Sequence, residues 1–153
     1  MRNADGRSEK AKMLAGDLYD ASAPEIQADL AATMEWLARY NAALALPAEA
    51  RRALLLERLA AVGEGTVVRP PFHCDYGFNI SLGAGVFLNF NCVILDVVEV
   101  TIGEGTQIRP AVQIYTADHP HDPEQRRAGL EFGRPVRIGR NVWIGAEPSS
   151  FQE

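Results

Sequence analysis

The sequence predicts a mostly β fold with an N-terminal α-helical region, and three observations support this. The chain has 153 residues, enough for one domain with a hydrophobic core. Alanine is concentrated in residues 1–61, whereas eleven of the 13 glycines and all three histidines lie in residues 62–153. Aliphatic residues in the second part recur at every sixth position. The change of composition separates a helical region, 1–61, from a β region that begins at residue 62.

The helical region carries the signals of three helices. Ser8 is placed to cap the first helix, and Pro24 lies in the first turn of the second. Pro47 marks the start of the third helix and Gly63 its C-terminal stop. One apolar face is predicted from the spacing of Ile26, Leu30, Met34, Leu37 and Leu44. We expect the helices to pack against their own domain, with a partner-binding module as the alternative.

The aliphatic period of six residues fits neither an α-helix nor a simple strand. Its positions are Leu82, Leu88 and Ile94, then Ile102, Ile108 and Ile114, then Ile138 and Ile144. A short strand, a turn and another short strand would return one side chain to the interior at each of these positions. Hexapeptide repeats are typical of a β-helix, whose stacked coils share one core. A meander of short hairpins would explain the glycines but not the constant spacing.

The composition also argues against several kinds of partner. A net charge of −5 argues against a basic face that would bind nucleic acid or an anionic membrane. No apolar run is long enough to span a bilayer, and the first residues lack the apolar segment of a signal peptide. Cys74 and Cys92 fit no metal-binding spacing and are expected to be buried thiols. We therefore expect a cytoplasmic protein with no nucleic-acid or membrane partner.

The six-residue period is interrupted over residues 116–135, which are predicted to project as a loop. This loop carries the motif HPHD, with His119 and His121. A histidine on an anchored loop can act as a general base near neutral pH. The alternatives are a solvated turn and a zinc site, although a zinc site normally has three or more protein ligands and His73 is the only other histidine. The residues alone leave these alternatives open.

Several long strings keep the order and spacing of one known family: MLAGDLY, RYN, PPFHCDYGFNISLGAGVFLNFNCVILDV, TIGEGTQIRPAVQIYTADHPHDPEQR and GRPVRIGRNVWIG. They resemble the maltose and galactoside O-acetyltransferases, a family that includes the nodulation acetyltransferases. The resemblance implies a left-handed parallel β-helix over residues 62–145, with an N-terminal helical cap and a homotrimeric assembly. It also implies transfer of an acetyl group from acetyl-CoA to a hydroxyl of a maltose- or glucose-type sugar, without a metal.

The same resemblance implies roles for residues on the acceptor side. His119 is expected to be the catalytic base, and Asn89 to orient the acceptor or the acetyl group. Asp75 and Glu131 match positions that contact the sugar, and carboxylates suit hydrogen bonds to hydroxyls. The alternative for Asn89 is a stacked turn asparagine. For the two acids it is a surface charge.

On the donor side, the resemblance implies an acetyl-CoA site that includes Asn89, Trp143 and Ala146. The backbone N–H of Ala146 would meet the oxyanion of the tetrahedral intermediate. A core aromatic residue is the alternative interpretation of Trp143.

Three positions depart from the family pattern. Galactoside enzymes have an acid where this chain has Val97, and the string CVILDV is more similar to the maltose type. A family arginine is replaced by Leu30 and a polar acceptor-side residue by Ala21. These departures leave the identity of the sugar open.

The string AEPSSFQE, residues 146–153, does not continue the family pattern of further coils. An out-of-frame reading of a glycine run explains it, and a naturally short homologue is the alternative. If the chain is truncated, we expect a non-catalytic remnant that keeps the scaffold and the acceptor pocket. Such a remnant would bind acetyl-CoA weakly and transfer little acetyl.

Overall fold

Four helices, three of them near the N-terminus, and a long series of short strands make up residues 6–145, the part of the chain that the computed structural model describes. In chain order the elements are α1 Glu9–Ala15, β1 Tyr19–Asp20, α2 Pro24–Asn41, α3 Ala48–Arg58, β2 Ala61–Val62, β3 Val67–Val68, β4 Phe72–Cys74, β5 Ile80–Leu82, β6 Phe87–Leu88, β7 Cys92–Leu95, β8 Val100–Ile102, β9 Gln107–Ile108, β10 Gln113–Tyr115, β11 Ala117–Asp118, α4 Pro123–Arg127, β12 Leu130–Gly133, β13 Val136–Ile138 and β14 Trp143–Ile144. Within residues 6–145 no helix is long and apolar enough to cross a membrane. Ala146 and the rest of the string 146–153 lie outside the described residues.

Most of the strands stack into three parallel sheets. Their orders are β13-β8-β5-β2, β14-β9-β6-β3 and β10-β7-β4. Consecutive strands of these three sheets belong to different sheets, so each turn of the chain adds one strand to each face of a three-sided coil. The prediction of a mostly β protein is confirmed, and the three sheets of the coil are parallel.

The six-residue aliphatic period fills the interior of this coil. Periodic residues face each other in register on neighbouring strands: Leu82 with Ile102, Leu88 with Ile108, and Ile94 with Ile114. These six side chains are buried, and Ile138 and Ile144 are partly buried in the last described coil. Cys74 and Cys92 are free and buried, as predicted. Stacking one aliphatic side chain on another therefore produces one continuous core.

The buried face of α2 differs from the predicted one. Ile26 is buried, but Met34 is 67% exposed and Leu44, which lies after the helix, is 53% exposed. Trp36 and Tyr40 are buried instead, and their rings stack with centroids 5.2 Å apart. The prediction of Met34 and Leu44 was wrong because it counted only aliphatic side chains, whereas aromatic rings supply more apolar area to a core.

These two aromatic rings also attach α2 to its neighbours through their polar atoms. The indole Nε1 of Trp36 donates to the carbonyl oxygen of Leu54 at 2.7 Å, and the Tyr40 hydroxyl donates to the carbonyl oxygen of Val68 at 2.6 Å. Because both donors are satisfied, the rings are buried without an unpaired polar group. They therefore link α2 to α3 and to the first coil.

The helix boundaries follow the predicted caps at the N-terminal ends but not at Gly63. Ser8 accepts from the backbone N–H of Ala11, and α2 starts at Pro24, as predicted. The third helix ends at Arg58, and Gly63 belongs to the first coil. A Cβ at Gly63 would collide with the backbone of the next coil at Ala84. The prediction of a helix stop at Gly63 was wrong, because close stacking of coils is what requires this glycine.

We expect Leu88→Ala to lower the free energy of unfolding by about 2–5 kcal/mol, because it removes a fully buried side chain from the middle of the stack. Leu56→Ala is a matched control, since Leu56 is 51% exposed on α3. Its effect should stay within about 0.5 kcal/mol. Denaturant titration at a single protein concentration measures both. Equal losses for the two variants would contradict this description of the core.

Candidate active site

Residues 116–135 are anchored by a small antiparallel sheet that includes the N-terminal strand β1. β12 pairs with β11 on one side and with β1 on the other, which brings Tyr19 opposite Glu131. Gly133 permits the approach, because a Cβ there would lie 2.7 Å from the Val98 side chain. The projecting segment therefore has a rigid base, as expected for a loop that carries functional groups.

The outer part of the loop is held by α4 and its cap. The side chain of Asp122 accepts from the backbone N–H of Glu124 and caps the helix. The guanidinium of Arg126 donates to the carbonyl oxygens of Pro120 and His121, at 3.1 and 3.2 Å. These contacts order the HPHD motif around its buried Pro120.

Asp75, His119 and Glu131, three of the predicted site residues, line one pocket, here called the His119 pocket. Asp75 follows β4, His119 follows β11, and Glu131 is in β12. They are far apart in the sequence and meet because the projecting loop folds back over the coil. The three positions that depart from the family pattern, Ala21, Leu30 and Val97, line the same pocket.

Two carboxylates in this pocket influence each other. Burial, with the nearby charge of Glu131, raises the pKa of Asp75 to about 6. The hydroxyl of Tyr19 donates to Glu131 Oε2 at 2.9 Å. Burial and this contact raise the pKa of Tyr19, so that it remains a neutral donor. Glu131 is therefore oriented by a fixed hydrogen bond. Burial and the charge of Glu131 disfavour the ionised form of Asp75.

The three histidines occupy different environments. His119 is exposed at the wall of the His119 pocket, His121 is exposed on the loop, and His73 is exposed on β4. Across residues 6–145, no group of three or more His, Cys, Asp or Glu side chains is arranged to hold a metal ion. The structure thus distinguishes the two loop histidines, because His119 lines the His119 pocket and His121 does not.

Asn89 and Trp143 line a second depression, here called the Trp143 groove, together with Phe87, Gln107, Ile108 and Arg109. Trp143 is 62% exposed, with the Arg109 guanidinium 4.4 Å from its ring centroid, so it is not a core aromatic residue. Asn89 Oδ1 accepts from the backbone N–H of Phe90 at 2.8 Å, as a turn asparagine does. The structure therefore places Asn89 with Trp143 and not in the wall of the His119 pocket.

Asp96 is a buried carboxylate beside the His119 pocket that the sequence reasoning missed. It is 0% exposed and accepts hydrogen bonds from the backbone N–H groups of Asp75, Tyr76 and Asn79. Burial raises the pKa of Asp96 to about 7, against the opposing effect of these hydrogen bonds. A single acid inside the apolar string CVILDVV was the signal for it, because a buried carboxylate needs fixed partners.

Solved structures with the same architecture are hexapeptide-repeat acetyltransferases. A maltose O-acetyltransferase from Clostridium difficile 630 matches with a TM-score of 0.88 and 38% identity, over 92% of this chain and 75% of that one. A hexapeptide-repeat acetyltransferase from Vibrio cholerae O1 biovar eltor, complexed with acetyl coenzyme A, matches with a TM-score of 0.73 and 34% identity, over 92% and 82%. The stacked coils and the anchored loop thus define an acetyltransferase of the hexapeptide-repeat class.

Sequence comparison identifies the family within this class. The model described as the maltose acetyltransferase hexapeptide capping motif matches residues 12–63. Nodulation protein L of Rhizobium leguminosarum bv. viciae is 69% identical over 139 residues, which are 91% of this chain and 73% of that protein. The chain belongs to the maltose and galactoside O-acetyltransferase family.

We expect Asp75→Asn to stabilise the protein at neutral pH. The folded-state pKa of about 6 lies above the ordinary 3.8, so the folded protein loses stability from Asp75 as pH rises between these values. Asparagine cannot ionise and avoids this loss. Denaturant unfolding of both proteins from about pH 3 to pH 8 should show curves that converge at the acid end and separate above about pH 4. A difference that stays constant with pH would contradict the burial of Asp75.

Proposed function

We propose that the chain is an acetyl-CoA-dependent O-acetyltransferase that acts on a hydroxyl of a maltose- or glucose-type sugar. The observation that carries the proposal is the convergence of Asp75, His119 and Glu131 in one pocket. Family membership and the acetyl coenzyme A complex of the Vibrio cholerae relative support acetyl-CoA as the donor. The substrate hydroxyl would enter the His119 pocket and the donor would lie along the Trp143 groove.

In this proposal His119 is the general base. Its imidazole takes the proton of the acceptor hydroxyl as that oxygen attacks the carbonyl carbon of the acetyl thioester. The tetrahedral intermediate then breaks its carbon–sulfur bond, and the leaving thiolate receives the proton from the imidazolium. Products are the acetylated sugar and coenzyme A. General-base assistance of this kind is typically worth about 10²–10⁴-fold in rate.

Asp75 and Glu131 are proposed to bind the acceptor. Carboxylate oxygens accept hydrogen bonds from sugar hydroxyls, and Tyr19 holds Glu131 in one orientation through its 2.9 Å contact. Holding a hydroxyl close to the base converts a bimolecular encounter into an oriented one, which lowers the barrier to attack. The carboxylates would thus contribute by orientation, while His119 handles the proton.

Trp143 and Asn89 are proposed to contact acetyl-CoA. The exposed indole offers a flat apolar surface to the pantetheine arm, and the amide of Asn89 offers polar contacts in the same groove. The backbone N–H of Ala146, which lies outside the described residues, is proposed to stabilise the oxyanion.

We also propose a left-handed coil over residues 62–145, a helical cap over 1–61 and a homotrimer with active sites between subunits. The capping-motif match at 12–63 supports the cap. Trp143 and Tyr115, 62% and 51% exposed on the coil, support a partner surface, because large aromatic side chains are enriched at interfaces. A partner subunit would also complete the walls of the open Trp143 groove.

We expect the purified protein in solution to have three times the mass of one chain, which is 16.7 kDa. Sedimentation equilibrium at several protein concentrations measures this mass independently of shape. A mass of one chain at all concentrations would contradict the trimer.

We expect His119→Ala to lower kcat for acetyl transfer by about 10²–10⁴-fold, because it removes the base. His121→Ala is the matched control, since this histidine is exposed on the same loop but does not line the His119 pocket. Thiol release from acetyl-CoA, measured with maltose, glucose and galactosides, reports the rates. Equal losses in the two variants would reject His119 as the base. Absence of thiol release from the wild-type chain with every sugar would reject the proposed function.

A further inference from the structure

The turn that carries Asp75, residues 75–79, is held on one side by the buried carboxylate of Asp96. Asp96 Oδ1 accepts from the backbone N–H groups of Asp75 at 3.2 Å and Tyr76 at 2.9 Å, and Oδ2 accepts from that of Asn79 at 3.3 Å. The Asn79 side chain donates in return to the backbone oxygen of Asp96 at 2.7 Å. The Asp96 side chain thus accepts hydrogen bonds from N–H groups at both ends of the turn.

The other side of the turn is held by a guanidinium. Arg58 Nε donates to the carbonyl oxygen of Tyr76 at 2.6 Å, and Thr33 Oγ1 donates to the same oxygen at 3.2 Å. Arg58 Nη2 also donates to the Asp29 carbonyl oxygen at 3.0 Å. The N–H groups of the turn therefore face the carboxyl oxygens of Asp96, and the Tyr76 carbonyl faces a cation. Hydrogen bonds to charged groups are stronger than those between neutral groups.

This double attachment matters for Asp75 because its side chain must stay close to another acid. Asp75 and Glu131 line the same pocket, and their like charges repel when both are ionised. Glu131 is fixed by Tyr19, so repulsion would displace Asp75 unless its backbone is held. The backbone hydrogen bonds to Asp96 oppose that displacement. Val97, which follows Asp96 directly, lines the pocket itself.

We propose that Asp96 is a positioning residue of the acetyl transfer, acting through the 75–79 turn to hold the Asp75 carboxylate against the acceptor sugar. The inference rests on the proposed function of the His119 pocket. Asp96 itself is fully buried and does not line that pocket, so it touches neither sugar nor donor. Arg58 serves the same turn from the opposite side.

The test compares Asp96→Asn and Asp96→Ala with Thr66→Val. Asparagine keeps one acceptor oxygen but points an amide N–H₂ at one of the turn's N–H groups, and alanine removes both oxygens. Thr66 is the control because its hydroxyl donates to the Gly83 carbonyl oxygen at 2.5 Å, a partly buried hydrogen bond that does not involve the turn. For the Asp96 variants the acceptor KM should rise about tenfold or more, as expected for loss of a hydrogen bond to a charged group. The KM for acetyl-CoA should stay within about twofold in all three variants, and the acceptor KM should be unchanged in Thr66→Val.

A double-mutant cycle separates positioning from general loss of structure. If Asp96 acts through Asp75, adding Asp96→Asn to Asp75→Asn should raise the acceptor KM by less than about twofold, because the carboxylate to be positioned is already gone. A full additional rise in that background would overturn the proposal. A fall in kcat with both KM values unchanged would overturn it as well.

Amide hydrogen exchange makes the test independent of catalysis. Exchange at Asp75, Tyr76 and Asn79 should accelerate about tenfold or more in Asp96→Asn, while the amides of β6 keep their wild-type rates. Unchanged exchange at the turn would overturn the proposal even in an active enzyme. Faster exchange in a chain whose wild type acetylates no sugar would support the attachment of the turn and reject the proposed function instead. If Asp96→Ala does not fold, Arg58→Lys, which cannot reach all the oxygens that arginine contacts, should raise the acceptor KM in the same direction.

Discussion

The in-register stacking of aliphatic side chains, one above another from coil to coil, is the constraint on which the rest of the structure depends. Leu88 on Ile108 and Ile94 on Ile114 keep the strands parallel, and the backbone hydrogen bonds between coils form only in that register. A shift of one residue would turn the aliphatic set outward. Because each coil contacts mainly its neighbours, the stability of the stack is approximately the sum of the contacts between adjacent coils. Every corner of the coil therefore has a fixed position, including the corners that carry Asp75 and Asn89.

The candidate active site uses that rigidity in two ways. Asp75 is placed by a corner of the coil, whereas His119 and Glu131 are placed by a segment that leaves the coil and returns. The antiparallel contact of β12 with β1 connects that segment to the N-terminal residues. The helical region is consequently more than a cover for the end of the stack. It supplies Tyr19 to one carboxylate of the pocket and Arg58 to the turn that bears the other.

Much of this arrangement could be predicted from residue spacing, and the failures have physical causes. The six-residue period identified the core, because the positions buried inside a stacked coil require aliphatic side chains. Met34 was misplaced because the sequence pattern does not rank an aliphatic against an aromatic residue, and Trp36 took the buried position. The identification of His119 as the candidate base depended on the family resemblance, because the conformation of a loop leaves no periodic pattern in the sequence. Asp96 was missed because its partners are backbone N–H groups. Nearly every residue has such a group, so the sequence does not show which ones Asp96 contacts.

The spacing of the strands shows how the projecting segment is accommodated. Leu82 stacks on Ile102 and Ile102 stacks on Ile138, although the second pair is much farther apart in the sequence than the first. The additional residues leave at one corner, and the parallel ladder continues in the same register. The coil thus behaves as a modular frame that tolerates insertions at its corners, since closing a longer surface loop costs little extra entropy. Residues of the projecting segment can accordingly change without rearrangement of the hydrophobic column beneath them.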